Sequence, residues 1–324
     1  MNLQRRHFLN LIAAGWATVA WPAQAAEWPT RPVRLIAGGA GSVTDIRARW
    51  LAERLGAALG QSVVVENNAA AGGNLAAELV ARATPDGHTL LLTHQGIAAI
   101  NPHLFAKVSY DPLTDFAPVA RFGIGQLALV VPAGSPLQSV AELVARAQAR
   151  PGAMNYGSNG NGTPPHLAAE QFKRLAGIEA VHVPFKGGGA LLTALLGSQV
   201  DWAIEGLTPL RPHVQSGALR VLAVSGSRRA PVWPQVPTMA EAGVKGYEYI
   251  GWTGIAAPAA TPRSVLERLN REINRVAASE EGRQFFASAG AEAGELSPAE
   301  FGAFIGDEHA RFGRLIREAG LKAD

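Results

Sequence analysis

Between Asn155 and His166 the chain reads Asn-Tyr-Gly-Ser-Asn-Gly-Asn-Gly-Thr-Pro-Pro-His, which crowds hydroxyl, amide and imidazole groups into one glycine-rich turn. Two chemistries could use them. Ser158 and His166 could act as nucleophile and base, given an acidic partner and an oxyanion hole within reach. Alternatively, Thr163 suits a helix N-cap and Pro164 the first helical position. The turn would then aim backbone N–H groups and the positive end of a helix dipole at one point, where an anion binds.

The motifs that would make this an enzyme of a familiar kind are missing. There is no GxxxxGK[ST], so the turn is not a nucleotide P-loop. After Gly39 and Gly41 the third glycine of a dinucleotide fingerprint is replaced by Thr44. Tyr156 stands where a GxSxG nucleophile elbow needs glycine. The absence of cysteine excludes disulfides, zinc–thiolate sites and thiol catalysis, and the histidines show no HExxH spacing. No metal or other cofactor is expected. What survives is a set of similar turns, at Gly38–Asp45, Asn67–Gly73, Asn155–His166 and Lys186–Gly189. Each has a plainer reading as a tight strand–helix connection. Asp45 could be a first-turn carboxylate stabilising a helix dipole, Lys186 a solvated residue, and Glu205 a cap rather than a pocket group. Trp202 and Trp252 read as core.

The elements that carry these turns follow a repeated order of strand, small-residue turn and helix. Val33–Ala37 is an apolar strand, and helical spacing runs through Arg47, Trp50, Leu51, Leu55 and Leu59 until Gly60. Ser62–Glu66 and His88–Thr93 are the next strands, with a helix over Asn74–Ala83 between them. Asn101–Phe122 reads as irregular because of its prolines. Leu127–Val131 is a buried strand, and Ser139 with Glu142 opens a helix through a capping box. Strands at Val181–Phe185, Val200–Ile204 and Leu219–Ser225 follow, with helices at Ala190–Leu196 and Thr208–Gln215. Thr238 and Glu241 form a second capping box, and Tyr247–Ala257 a long apolar strand. Everything after it reads as helix, including one opened by Ser297 and Glu300. Such an order predicts an α/β fold of mostly parallel sheets flanked by helices, in two lobes. Leu127–Val131 and Ile250–Ala257 are the expected crossovers. Residues 26–126 with 252–324 would form one lobe and 127–251 the other.

Residues 1–25 read as an address rather than as fold. Arg5-Arg6 precede an apolar run from Leu11 to Trp21 and then Ala23-Gln24-Ala25, a small-x-small cleavage signature. Export to the periplasm is expected, by the twin-arginine route or another, with cleavage near Ala25. Loss of Arg5 and Arg6 leaves 27 basic against 26 acidic residues, so the net charge of +3 falls to +1. A nearly neutral mature chain offers no basic face for nucleic acid.

The turns also carry a resemblance. The chain resembles the periplasmic solute receptors of tripartite tricarboxylate transporters, the TctC or Bug family, across its mature length. The matching residues include Gly41–Arg49, Ala71-Gly72-Gly73-Asn74, Pro85–Leu90, Tyr110-Asp111-Pro112, Gly157–Leu167, His182–Gly187 and Val236–Gly243. The chain departs from the family pattern at Ala37–Ala40, at Asn68-Ala69-Ala70 and at Phe185. The resemblance implies a two-lobed periplasmic binding fold of the type II kind, closing on a carboxylate without chemistry. It implies Gly41, Ser42, Thr44, Asp45, Thr93 and His94 from the first lobe as ligand groups. From the second it implies Ser158, Asn159, Asn161, Thr163, Gly187 and Glu205. The expected partners are a small organic acid and the membrane subunits of such a transporter, with the receptor itself a monomer. A secreted serine hydrolase using Ser158 and His166, and a sensory protein feeding a membrane kinase, are the alternatives.

Overall fold

In the computed structural model residues 28–319 are described, so the export signal read in residues 1–25 lies outside them. The first unit is β1 (Val33–Ala37), α1 (Val43–Leu59), β2 (Val63–Asn67), α2 (Asn74–Ala81) and β3 (Thr89–His94). α1 begins at Ser42, whose Oγ accepts from the Asp45 N–H. It ends where Gly60, at φ 71°, returns its N–H to the Gly56 carbonyl. β1 pairs in parallel with both β2 and β3, burying Leu35, Leu51, Leu55 and Leu90 in one core.

A short α3 (Asn101–Leu104) leads to β4, which runs from Phe116 to Pro132. This corrects the expectation of irregular chain up to Phe122. Pro118 misleads because proline normally breaks a ladder. Here the register shifts between Pro118 and Ala120, a bulge that tolerates the missing donor. Beyond β4 lie α4 (Val140–Ala149), β5 (Asn155–Ser158), α5 (Pro164–Ala176), β6 (Val181–Pro184), α6 (Gly188–Leu196), β7 (Trp202–Gly206), α7 (Leu207–Gln215) and β8 (Leu219–Val224). β5 pairs in parallel with β6 and β7, whereas β4 runs antiparallel to β7 and β8.

The return is β9 (Ile250–Pro258), antiparallel to β3 and to the first part of β4. α8 (Arg263–Ala277), α9 (Glu280–Ser288), β10 (Ala291–Ala293) and α10 (Pro298–Ala319) complete the chain. β10 was not expected. Three residues are too few for a period, and only the exposed edge of β4 at Gly123–Gly125 makes them a strand. The Thr238 box also differs. Its reciprocal bonds to Glu241 form, but they cap a turn closed by Gly243 rather than a helix. The result is the two-lobed α/β architecture. β4 is the continuous link: it pairs with β9 on one side of Gln126 and with β7 and β8 on the other. α10 also spans both sides, with Phe301 packed against Trp252 and Phe312 in the core that holds Tyr156 and Trp202. Among the described residues no helix is long and apolar enough to cross a membrane.

Candidate functional site

The turn after β1 is organised by its own carboxylate. Asp45 Oδ2 accepts from the Gly41 N–H at 2.9 Å, and Oδ1 from Asn67 Nδ2 at 2.8 Å and Arg49 Nε at 2.9 Å. With both oxygens committed, Asp45 holds the shape of the turn. Ser42 Oγ and Thr44 Oγ1 share a hydrogen bond of 2.7 Å. The Asp45 and Ile46 N–H groups are taken by Ser42, which leaves those of Val43 and Thr44 as the open donors of the helix start.

The opposite lobe meets this turn directly. A Cβ on Gly39 would stand 2.6 Å from the Gly187 Cα, and the Gly189 N–H donates to the Ala40 carbonyl at 3.1 Å. Only bare backbone fits at that contact, which explains the glycines on both sides. A small, partly open space of about 360 Å³, some of it continuous with solvent, remains beside it, lined among others by Ser42, Thr44, Gly73, His94, Asn159 and Thr163. No ionised side chain lines it. His94 Nδ1 accepts from the Gly96 N–H at 3.0 Å, so the ring carries its proton on Nε2, on the side of Gly73. Burial pushes the pKa of His94 down to about 4, so it offers a neutral N–H donor.

A second space of about 540 Å³ adjoins the first, and His94, Asn159, Pro164 and Pro165 line both. Glu205 lies here, 1% exposed at the end of β7, with Oε1 accepting from the Gly206 N–H at 2.7 Å and Oε2 without a partner. Burial pushes its carboxyl up to about 7. Arg47 lines the same space, 4% exposed, its Nη1 donating to the Gly123 carbonyl and, at 2.8 Å, to Thr253 Oγ1.

The residues expected at the site therefore divide. Ser42, Thr44, His94, Asn159 and Thr163 line the first space, and Glu205 the second. Gly41, Asp45, Thr93, Ser158, Asn161 and Gly187 are nearby but line neither. Thr163 starts α5 without capping it by its side chain. Its Oγ1 donates to the Gly160 carbonyl at 2.7 Å instead. Arg47 is the residue that sequence reasoning missed. It stands four and eight residues before Leu51 and Leu55, in phase with their buried stripe, and a cation in that phase was the available signal.

The pairing of Ser158 with His166 does not form. His166 Nδ1 accepts from the Gly162 N–H, and the ring hydrogen-bonded to Ser158 Oγ, at 2.6 Å, belongs to His182. His182 is stacked between Tyr156 and His166 at 4.8 Å and 4.1 Å. The neighbouring carboxylate, Glu170, bonds Tyr156 and Lys173 rather than either imidazole. Ser158 Oγ is fully buried and also accepts from the Gly160 N–H, so it braces the turn and lacks the third member of a triad.

The chain is similar to known proteins over nearly its whole length. A sequence profile described as "Tripartite tricarboxylate transporter family receptor" matches residues 47–321. The protein BugT of Bordetella pertussis is 36% identical over 99% of this chain and 99% of its own length. The solved structure of Rpa4515 from R. palustris with adipate superposes with a TM-score of 0.88 at 36% identity, covering 91% of this chain and 99% of that one. MatC from Rhodopseudomonas palustris with bound malate gives 0.85 at 31% identity, over 89% and 99% of the two chains.

Proposed function

Given that this chain belongs to the tripartite tricarboxylate transporter family of receptors, we propose that it captures a small organic acid between its lobes and delivers it to a membrane transporter of that type. The first space carries the reading. Its lining holds hydroxyls, an imidazole N–H and a helix start, and no ionised carboxylate that would repel an anion. Charge-assisted hydrogen bonds of this kind contribute about 1.5–3 kcal/mol each. The relatives that carry adipate and malate show that proteins of this fold take acids.

In this proposal residues 26–126 with 252–324 move against residues 127–251, and the contact of Gly39 with Gly187 is the closed state. The ligand leaves unchanged, so the protein is a receptor and not an enzyme. Ser42, Thr44, His94, Asn159 and Thr163 hold the acid, while Gly41, Asp45, Ser158 and Gly187 shape the turns. The chain acts in the periplasm, and residues 1–25 direct it there. A thermal-shift screen over dicarboxylates, tricarboxylates, acidic amino acids and aromatic acids tests the reading. A true ligand at ~100 times its dissociation constant adds about 2.7 kcal/mol of stability. A shift with sugars or cations alone would falsify it.

A further inference from the structure

The turn that carries Asn159 and Thr163 into the first space is tied at both ends to imidazoles that line neither space. At its start Ser158 Oγ shares a hydrogen bond of 2.6 Å with His182 Nε2. At its end the Gly162 N–H donates to His166 Nδ1 at 3.2 Å. The two rings stack 4.1 Å apart and 16° from parallel, so one pair of side chains braces the whole turn. Gly162 is also where the turn meets the far side of the cleft. A Cβ on Gly96 would stand 2.7 Å from the Gly162 carbonyl, and one on Gly162 would strike Asn101. Whatever moves Gly162 therefore moves both the ligand groups and the contact between the lobes.

The two bonds respond to acid differently. A ring nitrogen that accepts a hydrogen bond carries no proton, so neutral His166 has its proton on Nε2. A further proton on Nδ1 sets N–H against N–H and breaks the bond to Gly162. His182 meets no such conflict, because a protonated Nε2 donates to Ser158 Oγ, whose own proton has the Gly160 carbonyl to go to. The charged and titratable groups facing the pair are Glu170 and Lys173 of α5 and Tyr156 of β5, while Gly96 and Asn101 across the cleft carry no charge. Glu170 stands four residues along α5 from His166 and favours a proton there. That charge, one stacking distance away, then holds His182 neutral.

We propose that His166 is a positioning residue for the ligand turn, holding Gly162 while neutral and releasing it when protonated, so that acid loosens the grip on the ligand. Only the last clause rests on the organic-acid reading above; the release of the turn does not. One proton passes from solvent to His166 Nδ1, and the imidazolium turns from Gly162 towards Glu170. No covalent bond changes. Burial lowers the pKa of both rings, that of His182 to about 4. A depressed imidazole pKa means that the bond to Gly162 is fully present above 6.5 and is lost as the pH falls through the lowered value.

Amide hydrogen exchange of the ligand-free protein, read by NMR and corrected for the intrinsic pH dependence of exchange, tests this between pH 7 and about pH 4.5. Protection of the Gly162 amide should fall at least ~5-fold over that interval. His166→Asn keeps an acceptor near the place of Nδ1 but does not titrate, so it should hold Gly162 at both pH values. His166→Leu, with no acceptor, should leave Gly162 poorly protected at both. His182→Gln, which replaces the partner of Ser158 alone, should keep the acid response. The affinity for adipate, used as the probe, should fall at least ~5-fold further on acidification in the wild type than in His166→Asn. Titration of the probe itself cancels in that ratio. Protection of Gly162 that acid leaves unchanged overturns the proposal, as does an acid response that persists in His166→Asn. If no acid binds at any pH while Gly162 responds as expected, the organic-acid reading falls and the role of His166 in the turn stands.

Discussion

The two adjoining spaces between the lobes hold polar groups by opposite strategies. Around Ser42, Thr44 and Thr163 the donors are neutral, and each is held by local geometry within a residue or three of its own turn. Around Arg47 and Glu205 the groups are ionisable and brought from α1 and β7, elements far apart in the chain. Neutral donors on tight turns cost little to bury. Buried charges cost much more, and the second space carries that cost while the first does not.

The sharpest way to break this comparison is to close off both spaces together. Gly39→Val puts branched carbon where only the Gly187 backbone fits, so the lobes cannot meet. Binding of any acid should fall by at least ~100-fold with little change in secondary structure, as calorimetry and circular dichroism would report.

Stability against pH separates the spaces next. The Glu205 carboxyl is raised in the folded state, so its contribution is full below about 4.5 and is lost as pH rises through about 7. Glu205→Gln should therefore stabilise the ligand-free protein at pH 8 by up to about 3 kcal/mol and do little at pH 4, measured by urea denaturation. His94 has the opposite sign. Its depressed pKa gives stability that is present above 6.5 and lost as pH falls towards about 4. His94→Gln should flatten that acid limb. A Glu205→Gln variant with an unchanged alkaline limb would remove the distinction between the two spaces.

A smaller effect tests the neutral side. Ser42→Ala removes a hydroxyl that caps α1 and faces the first space, and should cost about 1–3 kcal/mol of affinity for monoacids and diacids alike. Smallest is Ser158→Ala, where loss of the bonds to His182 and Gly160 should lower the melting stability by about 1 kcal/mol. Any hydrolytic turnover abolished by that change would revive the enzyme reading.

What was legible beforehand had local causes. Gly60 stops α1, Ser139 and Ser297 open helices through bonds to Glu142 and Glu300, and the small-residue turns come where they were expected. The chain by itself determined these because caps, positive-φ glycines and apolar periods act within a few residues. Only the tertiary structure decided the rest. It put Pro118 on a bulge and made a strand of Ala291–Ala293 by giving it an edge to pair with. It matched Ser158 with His182 in place of His166 because β5 and β6 are neighbours in the sheet. It also turned Arg47, on a helix face that reads as core, into a lining group of the cleft. Which side chains share a buried space depends on how strands far apart in sequence pair, and no local pattern records that pairing.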